Sequence, residues 1–278
     1  TGARRLPALS PLRVVAFALV LGGTLATASA HGSERQVVRV APGRSLPQAI
    51  LLAPGVRHLF GDWWRIPVAS GVADLAGLDE VDLVEEDRVQ HLAFGAAELP
   101  ATPVMPIVPP TLERLPQGGE PLVADDPLLV QQWHHRQIGA EAAWLRSTGE
   151  GVVVAVIDSG VRIAPTAAGD GFCLPLAGEY DAVLDHTGPG TAVDRLGHGT
   201  FVAGVIAQCT GNGTGGAGLA PGASILAIRA CTDDAECASS DVATAIDWAT
   251  THGARVINLS LGMACGATDW PECSTAIE

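Results

Sequence analysis

Residues Val152 to Ile157 read VVVAVI, an apolar run with no polar interruption. A strand with one face in water alternates apolar with polar side chains. An unbroken run bounded by turn residues therefore needs cover on both faces, as in a parallel sheet. The same signal returns at Ser224 to Ala230 (SILAIRA) and at Arg255 to Ser260 (RVINLS). Between these two, Val242, Ala245, Ile246 and Ala249 fall at i, i+3, i+4 and i+7. That is a helical stripe, with Ser240 or Asp241 placed to cap it and Gly253 just past its end. Strand, helix, strand makes a right-handed βαβ unit. The pattern predicts an α/β domain with helices on both faces of a parallel sheet and a ligand site outside the carboxyl ends of its strands.

The chain before this domain is organised differently. Between Gly95 and Asp125 lie Pro100, Pro103, Pro106, Pro109, Pro110, Pro116 and Pro121, a density that denies backbone donors to any helix or central strand and reads as a linker. From His31 to Phe94, short β-like runs (Val37 to Val40, Trp63 to Val68, Val81 to Val84, Val89 to Phe94) and a helical turn near Val72 to Leu75 predict a small α+β domain. Arg4, Arg5 and Arg13 precede an apolar run from Val14 to Leu25 that ends in Ala28-Ser29-Ala30, a small-x-small cleavage pattern. A bilayer span needs about 20 consecutive apolar residues, and Gly22 and Gly23 break this run. The expected organisation is a secretory signal over 1–30, the α+β domain over 31–95, the linker over 96–125 and the α/β domain over 126–278, in a secreted or extracytoplasmic protein. Six cysteines (Cys173, Cys209, Cys231, Cys237, Cys265, Cys273) suit disulfides in an exported chain. Short spacing suggests Cys231 with Cys237 and Cys265 with Cys273, and the lack of a C-x-x-C pair argues against zinc.

Composition removes several function classes. All 16 basic residues are Arg, which excludes a P-loop lysine, Schiff-base chemistry and a Ser-Lys dyad. The formal charge of -14 repels phosphate backbones and anionic lipid heads, so neither nucleic acid nor a membrane, once a signal is removed, is an expected partner. Gly211-x-Gly213-x-x-Gly216 spells a dinucleotide fingerprint but follows a helical run and leads to a strand, the reverse of the required context. His134-His135 lacks the i, i+4 spacing of a helical ligand pair, and Trp63-Trp64 reads as core or domain contact.

Three positions can carry chemistry. Asp158 ends the first buried strand, at the rim where sites form, although a strand-ending Asp often only ties down a turn. His198, in Gly197-His198-Gly199-Thr200, opens an apolar segment, Phe201 to Ile206, that reads as a buried helix. The positive end of a helix dipole favours the neutral imidazole that a general base needs, and the flanking glycines would let a substrate backbone approach. Ser260-Leu261-Gly262 closes a third strand at the same rim, where its backbone can pair with an extended peptide.

Taken together, VVVAVIDSGV (Val152 to Val161), GHGTFVAGVIA (Gly197 to Ala207) and VINLSLG (Val256 to Gly262) resemble, in order and spacing, the Asp, His and substrate-strand motifs of the subtilisin-like serine proteases. DPLLVQQWHHRQIGAEAAW (Asp126 to Trp144) resembles the mature N-terminus of that family. The resemblance implies a secreted serine endopeptidase acting on polypeptides, with Asp158 as the triad carboxylate and His198 as the general base. It implies a substrate groove between Ser260, Leu261 and Gly262 on one side and Ala235, Cys237 and Ser239 on the other. Small residues at Ala238 and Ser239 imply a roomy pocket upstream of the cut. No cofactor is needed for the chemistry.

The chain departs from the family first in its nucleophile. The nucleophile of subtilisin lies roughly 150 positions after the His, a count that runs past Glu278, and neither a Gly-Thr-Ser segment nor the oxyanion Asn has a counterpart. The expectation is an inactive fragment of a longer gene product, the alternative being a non-catalytic, secreted peptide-binding or protease-inhibitor protein. Half of such a sheet would expose an edge and apolar faces, so low solubility is expected of the 278 residues, to be checked by sedimentation. Val81 to Leu92 (VDLVEEDRVQHL) is similar to the end of the family's propeptide, which implies that the 31–95 domain assists folding and inhibits until removal in the linker. The Cys209 to Gly216 loop resembles the family's calcium loop. There the carbonyls of Cys209, Thr214 and Gly216, the Asn212 side chain and the Asp126 carboxylate would hold a structural Ca2+. Ala164-Pro165-Thr166-Ala167 lacks a further expected carboxylate, for which Asp170 is the available substitute.

Overall fold

In the computed structural model, residues 35–68, 75–92, 122, 124–162 and 173–262 are described. The first two segments fold as β1 (Arg35–Val40), a helical turn α1 (Gln48–Leu51), β2 (Arg57–His58), β3 (Trp63–Pro67), β4 (Val81–Glu86) and β5 (Val89–Leu92). Four of these strands make an antiparallel sheet in the order β2-β3-β1-β4. Side chains alternate across it. Val38, Val40 and Ile66 face a core with Leu46, Ile50 and Leu75, while Val37, fully buried, points to the opposite face. The expected strands at 37–40, 63–68, 81–84 and 89–94 are all present in substance, with β2 and α1 added. The helical turn placed near Val72 to Leu75 falls largely outside the described residues.

The second part runs through α2 (Trp133–Ile138), α3 (Ala140–Trp144), β6 (Val153–Asp158), β7 (Leu176–Asp181), β8 (His186–Thr187) and α4 (His198–Ala207). It continues through β9 (Ser224–Arg229), β10 (Glu236–Ala238), α5 (Ser239–Thr251), β11 (Val256–Leu259) and β12 (Leu261–Gly262). Its main sheet has the order β11-β6-β9-β7-β8, parallel except for β8. Unbroken apolar strands serve both faces. Val154, Val156, Ile225 and Ala227 pack with Ala203 and Ala207 of α4 on one side. Ala155, Ile157, Leu226 and Ile228 pack with Val242, Ala245 and Ala249 of α5 on the other. This is the expected α/β architecture. Beside β11, an edge strand among the described residues, lies an apolar groove of about 320 Å3 lined by Val152, Val154, Ile206, Ala223, Val256 and Ile257.

Several local expectations need correction. Helix α5 starts at Ser239, ahead of the expected cap at Ser240 or Asp241, and no side chain of its own N-cap residue, Ala238, closes it. Its first turn is capped from elsewhere, because Asp87 accepts from the amide (2.9 Å) and the hydroxyl (2.8 Å) of Ser240. Strand β7 carries no apolar run, yet Glu179 and Asp181 are buried at its end, one accepting from the Gly190 amide and the other paired with Arg229. Cys231 pairs with Cys237 as expected, and Cys173 pairs with Cys209 across 36 residues, a bridge that spacing could not suggest. Cys265 and Cys273, like the stretch 1–30, lie outside the described residues. Among the described residues no helix is long and apolar enough to cross a membrane.

His135 is buried against Trp144, with ring centroids 5.7 Å apart, beside His134. Burial and the neighbouring imidazole hold its pKa below the ordinary 6.5. A histidine depressed in the folded state binds its proton more readily when unfolded, so stability falls as pH drops through about 6.5 toward the folded value. Thermal unfolding followed from pH 7.5 to 5 is expected to show this slope, and His135→Leu is expected to flatten it.

Candidate active site

Strand β6 lies between β9 and β11, and its register with both leaves Asp158 at the carboxyl rim, opposite Arg229 and one residue past the Ile157–Leu259 pair. The Asp158 side chain is fully buried. Its Oδ1 accepts from the Ser159 amide at 2.6 Å, and the Nδ1 of His198 lies 2.8 Å from Oδ1 and 3.0 Å from Oδ2. An ionised carboxylate can only accept, so Nδ1 carries a proton, and in the neutral imidazole the lone pair then lies on Nε2. The sequence-predicted pair is thus in direct contact across the strand rim.

His198 is the first residue of α4, and what fixes it there is Asp194. This fully buried carboxylate accepts from the amides of Leu196 (2.9 Å), Gly197 (2.8 Å) and Thr200 (2.9 Å), and from the hydroxyls of Thr200 and Ser159. Burial alone would push Asp194 up, but the Thr200, Gly197 and Ser159 donors outweigh it and hold the carboxyl below its ordinary value. The Ser159 hydroxyl in turn accepts from the Gly199 amide at 3.0 Å. The turn after β6 and the start of α4 are therefore stitched together through Ser159 and Asp194.

The glycines around His198 serve this packing. Gly197 has φ +90, the left-handed conformation that ends the loop before the helix. A Cβ at Gly199 would run into the Gly160 carbonyl and the Asp158 side chain. Gly199 therefore seats the helix against the turn after β6, whereas a Cβ at Gly197 would meet nothing within 4 Å.

The six residues expected to bind substrate line one slot. β5 runs antiparallel between β10 and β12, with Cys237 opposite Gln90, Leu261 opposite Leu92, and His91 opposite both Glu236 and Gly262. Leu92 donates to the Ala235 carbonyl at 3.3 Å, and the Ser239 amide donates to the Arg88 carbonyl at 2.7 Å. Ser260 immediately precedes β12 and accepts from the Asn258 side chain at 3.0 Å. The slot is joined to the Asp158 rim, since the amides of Ala230 and Cys231 both donate to the Asp158 carbonyl. Leu92 is buried in the apolar cluster that covers this side of the sheet, so a strand of the N-terminal part fills the place assigned to an extended peptide.

The calcium candidates are also neighbours, in another arrangement. Asp126 is buried and accepts from the amides of Gly211 (2.7 Å) and Asn212 (3.3 Å), while Asn212 Oδ1 accepts from the amide and hydroxyl of Thr214. Cys209 is held by its disulfide, and Gly216 packs against the Gln132 carboxamide. The side-chain oxygens named for a cation accept here from N–H and O–H donors of their own loop. Asp170 lies outside the described residues. Among the described residues no group of three or more His, Cys, Asp or Glu gathers as a metal site.

Known proteins resemble the second part of the chain. Residues 149–278 match the model of the subtilase family, peptidase family S8. Over these residues the chain is similar to the subtilases. Thermitase of Thermoactinomyces vulgaris is 38% identical over 137 residues, 49% of this chain and 46% of the relative. The halolysin-like extracellular serine protease Nep of Natrialba magadii is 35% identical over 142 residues, 50% of this chain and 26% of the relative. M-protease of Shouchella clausii is 30% identical over 200 residues, 71% of this chain and 49% of the relative. The chain thus spans about a quarter to a half of the length of these three relatives. Among solved structures, fervidolysin from Fervidobacterium pennivorans, a keratinolytic enzyme related to subtilisin, superposes with a TM-score of 0.57 at 23% identity, covering 88% of this chain and 37% of that one. That likeness shows the fold.

Sequence reasoning missed Ser159 and Asp194, which stand one residue after Asp158 and four before His198 in the subtilase segment. A Ser and an Asp beside two chemically assigned residues were the available signal. Removing the Asp194 carboxylate strands buried donors, each worth about 1–3 kcal/mol. Asp194→Ala is expected to lower the melting temperature far more than Asp82→Ala, whose carboxylate is half exposed on β4, as calorimetry would read.

Proposed function

We propose that the chain is the front part of a secreted serine endopeptidase of the subtilisin type, with Asp158 and His198 as two members of its triad. The observation that carries this reading is the 2.8 Å contact between His198 Nδ1 and a carboxylate fully buried at the end of β6. Asp158 holds the imidazole in the tautomer whose Nε2 can take a proton, and stabilises the imidazolium once it forms. His198 removes the proton of a serine hydroxyl as the oxygen attacks a peptide carbonyl, then returns it to the leaving amine. The serine belongs to polypeptide outside these 278 residues, which contain no Gly-Thr-Ser segment. Ser260, Leu261 and Gly262 with Ala235, Cys237 and Ser239 form the two walls against which substrate backbone pairs.

In the same reading, residues 31–95 are a prodomain that keeps the groove closed until removed in the 96–125 linker, after a signal over 1–30 has directed export. Support comes from β5, which occupies the groove as a substrate strand would. Added to a related protease, residues 31–95 are expected to inhibit it.

The 278-residue chain is expected to resist labelling by a fluorophosphonate, while a product of the same locus extended past Glu278 is expected to be labelled at a serine. In that extended product Asp158→Asn is expected to lower kcat by about 10^4, the cost of the wrong imidazole tautomer. An extended product with no labelled serine would instead favour the peptide-binding alternative.

A further inference from the structure

Among the described residues, three sets of contacts between the N-terminal part and the α/β part ask different things of a partner. β5 is held in the groove through main-chain pairing, which any extended segment supplies. Asp87 caps α5 at Ser240, which one carboxylate at that place supplies. The third contact is built from two guanidinium groups. Arg57 and Arg65 are paired in the β2–β3 register, and Val37 is paired with Arg65 in the β1–β3 register, so all three side chains share the sheet face on which Val37 is fully buried. Arg65 Nη1 donates to Asp241 at 2.7 Å, and Arg57 Nη1 lies 3.6 Å from the same oxygen. Arg57 also donates to the Ala182 carbonyl at 2.8 Å, and its Nη2 lies 3.3 Å from Asp185.

We propose that Arg57 and Arg65 are a recognition key by which the α/β part selects its own N-terminal domain, with Asp241 and Asp185 as the groups that read it; this rests on the prodomain reading above. Side chains of Arg57, Arg65 and Asp241 are only 15%, 12% and 4% exposed, so the Asp241 pairing is made largely out of water, while Asp185, 59% exposed, stands at its rim. A docked partner without the arginines would leave Asp241 buried and uncompensated, which is far costlier than losing a surface pair. It would also bring Asp87, which docks at the neighbouring residue of α5, beside a second carboxylate. Asp87 brings its own arginine, Arg35 at 3.6 Å, into the interface, whereas Asp241 meets Arg57 and Arg65 only when the two parts dock. Burial pushes Asp241 up to about 6 against the pull of Arg65, and the nearby Asp87 charge adds to that push. Discrimination therefore comes from repulsion of partners lacking the key as much as from attraction of the right one.

The test uses the full chain and reads docking, with no reliance on catalysis. Hydrogen exchange of the Val89–Leu92 amides reports docking, and that of the β6 amides reports whether the α/β part is folded. Arg65→Glu is expected to speed exchange in β5 by about tenfold or more with β6 unchanged, and the swap Arg65→Glu with Asp241→Arg is expected to recover most of the protection. Protection in Arg65→Glu within about twofold of the parent, or a swap that recovers nothing while β6 stays protected, overturns the key. If charge reversal unfolds β6 as well, the neutral variant Arg57→Met with Arg65→Met decides, since unchanged β5 exchange there also overturns it. Loss of β5 protection together with no inhibition by residues 31–95 of any related protease would uphold the key and sink the prodomain reading instead.

Discussion

A carboxylate shut off from water at the end of a central strand has to find its donors in the protein. Asp158 is in that position because β6 is covered by α4 on one face and α5 on the other, and its register with β9 and β11 cannot slip without exchanging the two buried faces. The donors it finds are its own successor's amide and the His198 ring. For the ring to be there, α4 must begin at one residue and no other, and that is the task of Asp194, which gathers three amides and two hydroxyls from both sides of the rim. The groove depends on the same point, since β10 follows a turn whose amides donate to the Asp158 carbonyl and β12 follows the strand paired with β6.

An all-arginine cation set suits a strongly acidic chain folded around buried carboxylates. Guanidinium is planar, always charged and more weakly hydrated than ammonium, so it can follow a carboxylate out of water at lower cost. Arg229 does this within the α/β part, where it reaches Asp181 at 2.9 Å and Asp233 at 3.1 Å, and Arg195 holds the second of these carboxylates from the loop that leads to His198. Arg57 and Arg65 do the same across the junction with the N-terminal sheet. The first set fixes the turn before β10, and the second fixes what lies upon it.

The elements legible in the sequence were those whose burial is complete on a regular period. The runs at 152–157, 224–230 and 255–260 became β6, β9 and β11, and the i, i+3, i+4, i+7 stripe became α5. β7 was illegible because its polar residues are buried by partners distant in sequence, Glu179 with Gly190 and Asp181 with Arg229. The same physics hid the cap of α5, supplied from 153 residues away by Asp87, and the Cys173–Cys209 bridge. At the candidate site, the meeting of Asp158 with His198 was legible through motifs in register, and the placing of Ala235, Cys237 and Ser239 opposite Ser260 to Gly262 came from the family resemblance. Asp194 and Ser159 were not legible, because a residue that acts by holding another leaves only an ordinary polar letter in the chain.

The strands of the groove are short, three residues in β10 and two in β12, and they pair with each other only through what lies between them. Isolated, each would be an edge with unpaired amides and carbonyls, and a short strand supported on one side alone is marginal. An occupant that completes the sheet satisfies both edges at once through its backbone, whatever its side chains. A slot of this kind can accept polypeptides broadly, yet by itself it cannot tell a resident strand from a passing one. Here the resident strand continues from a sheet whose other contacts, Asp87 on Ser240 and the arginines on Asp241 and Asp185, lie outside the slot. On the proposed reading, breadth in the groove and selectivity beside it are separate properties, set by backbone pairing in one place and by the pairing of Arg57 and Arg65 with Asp241 in the other.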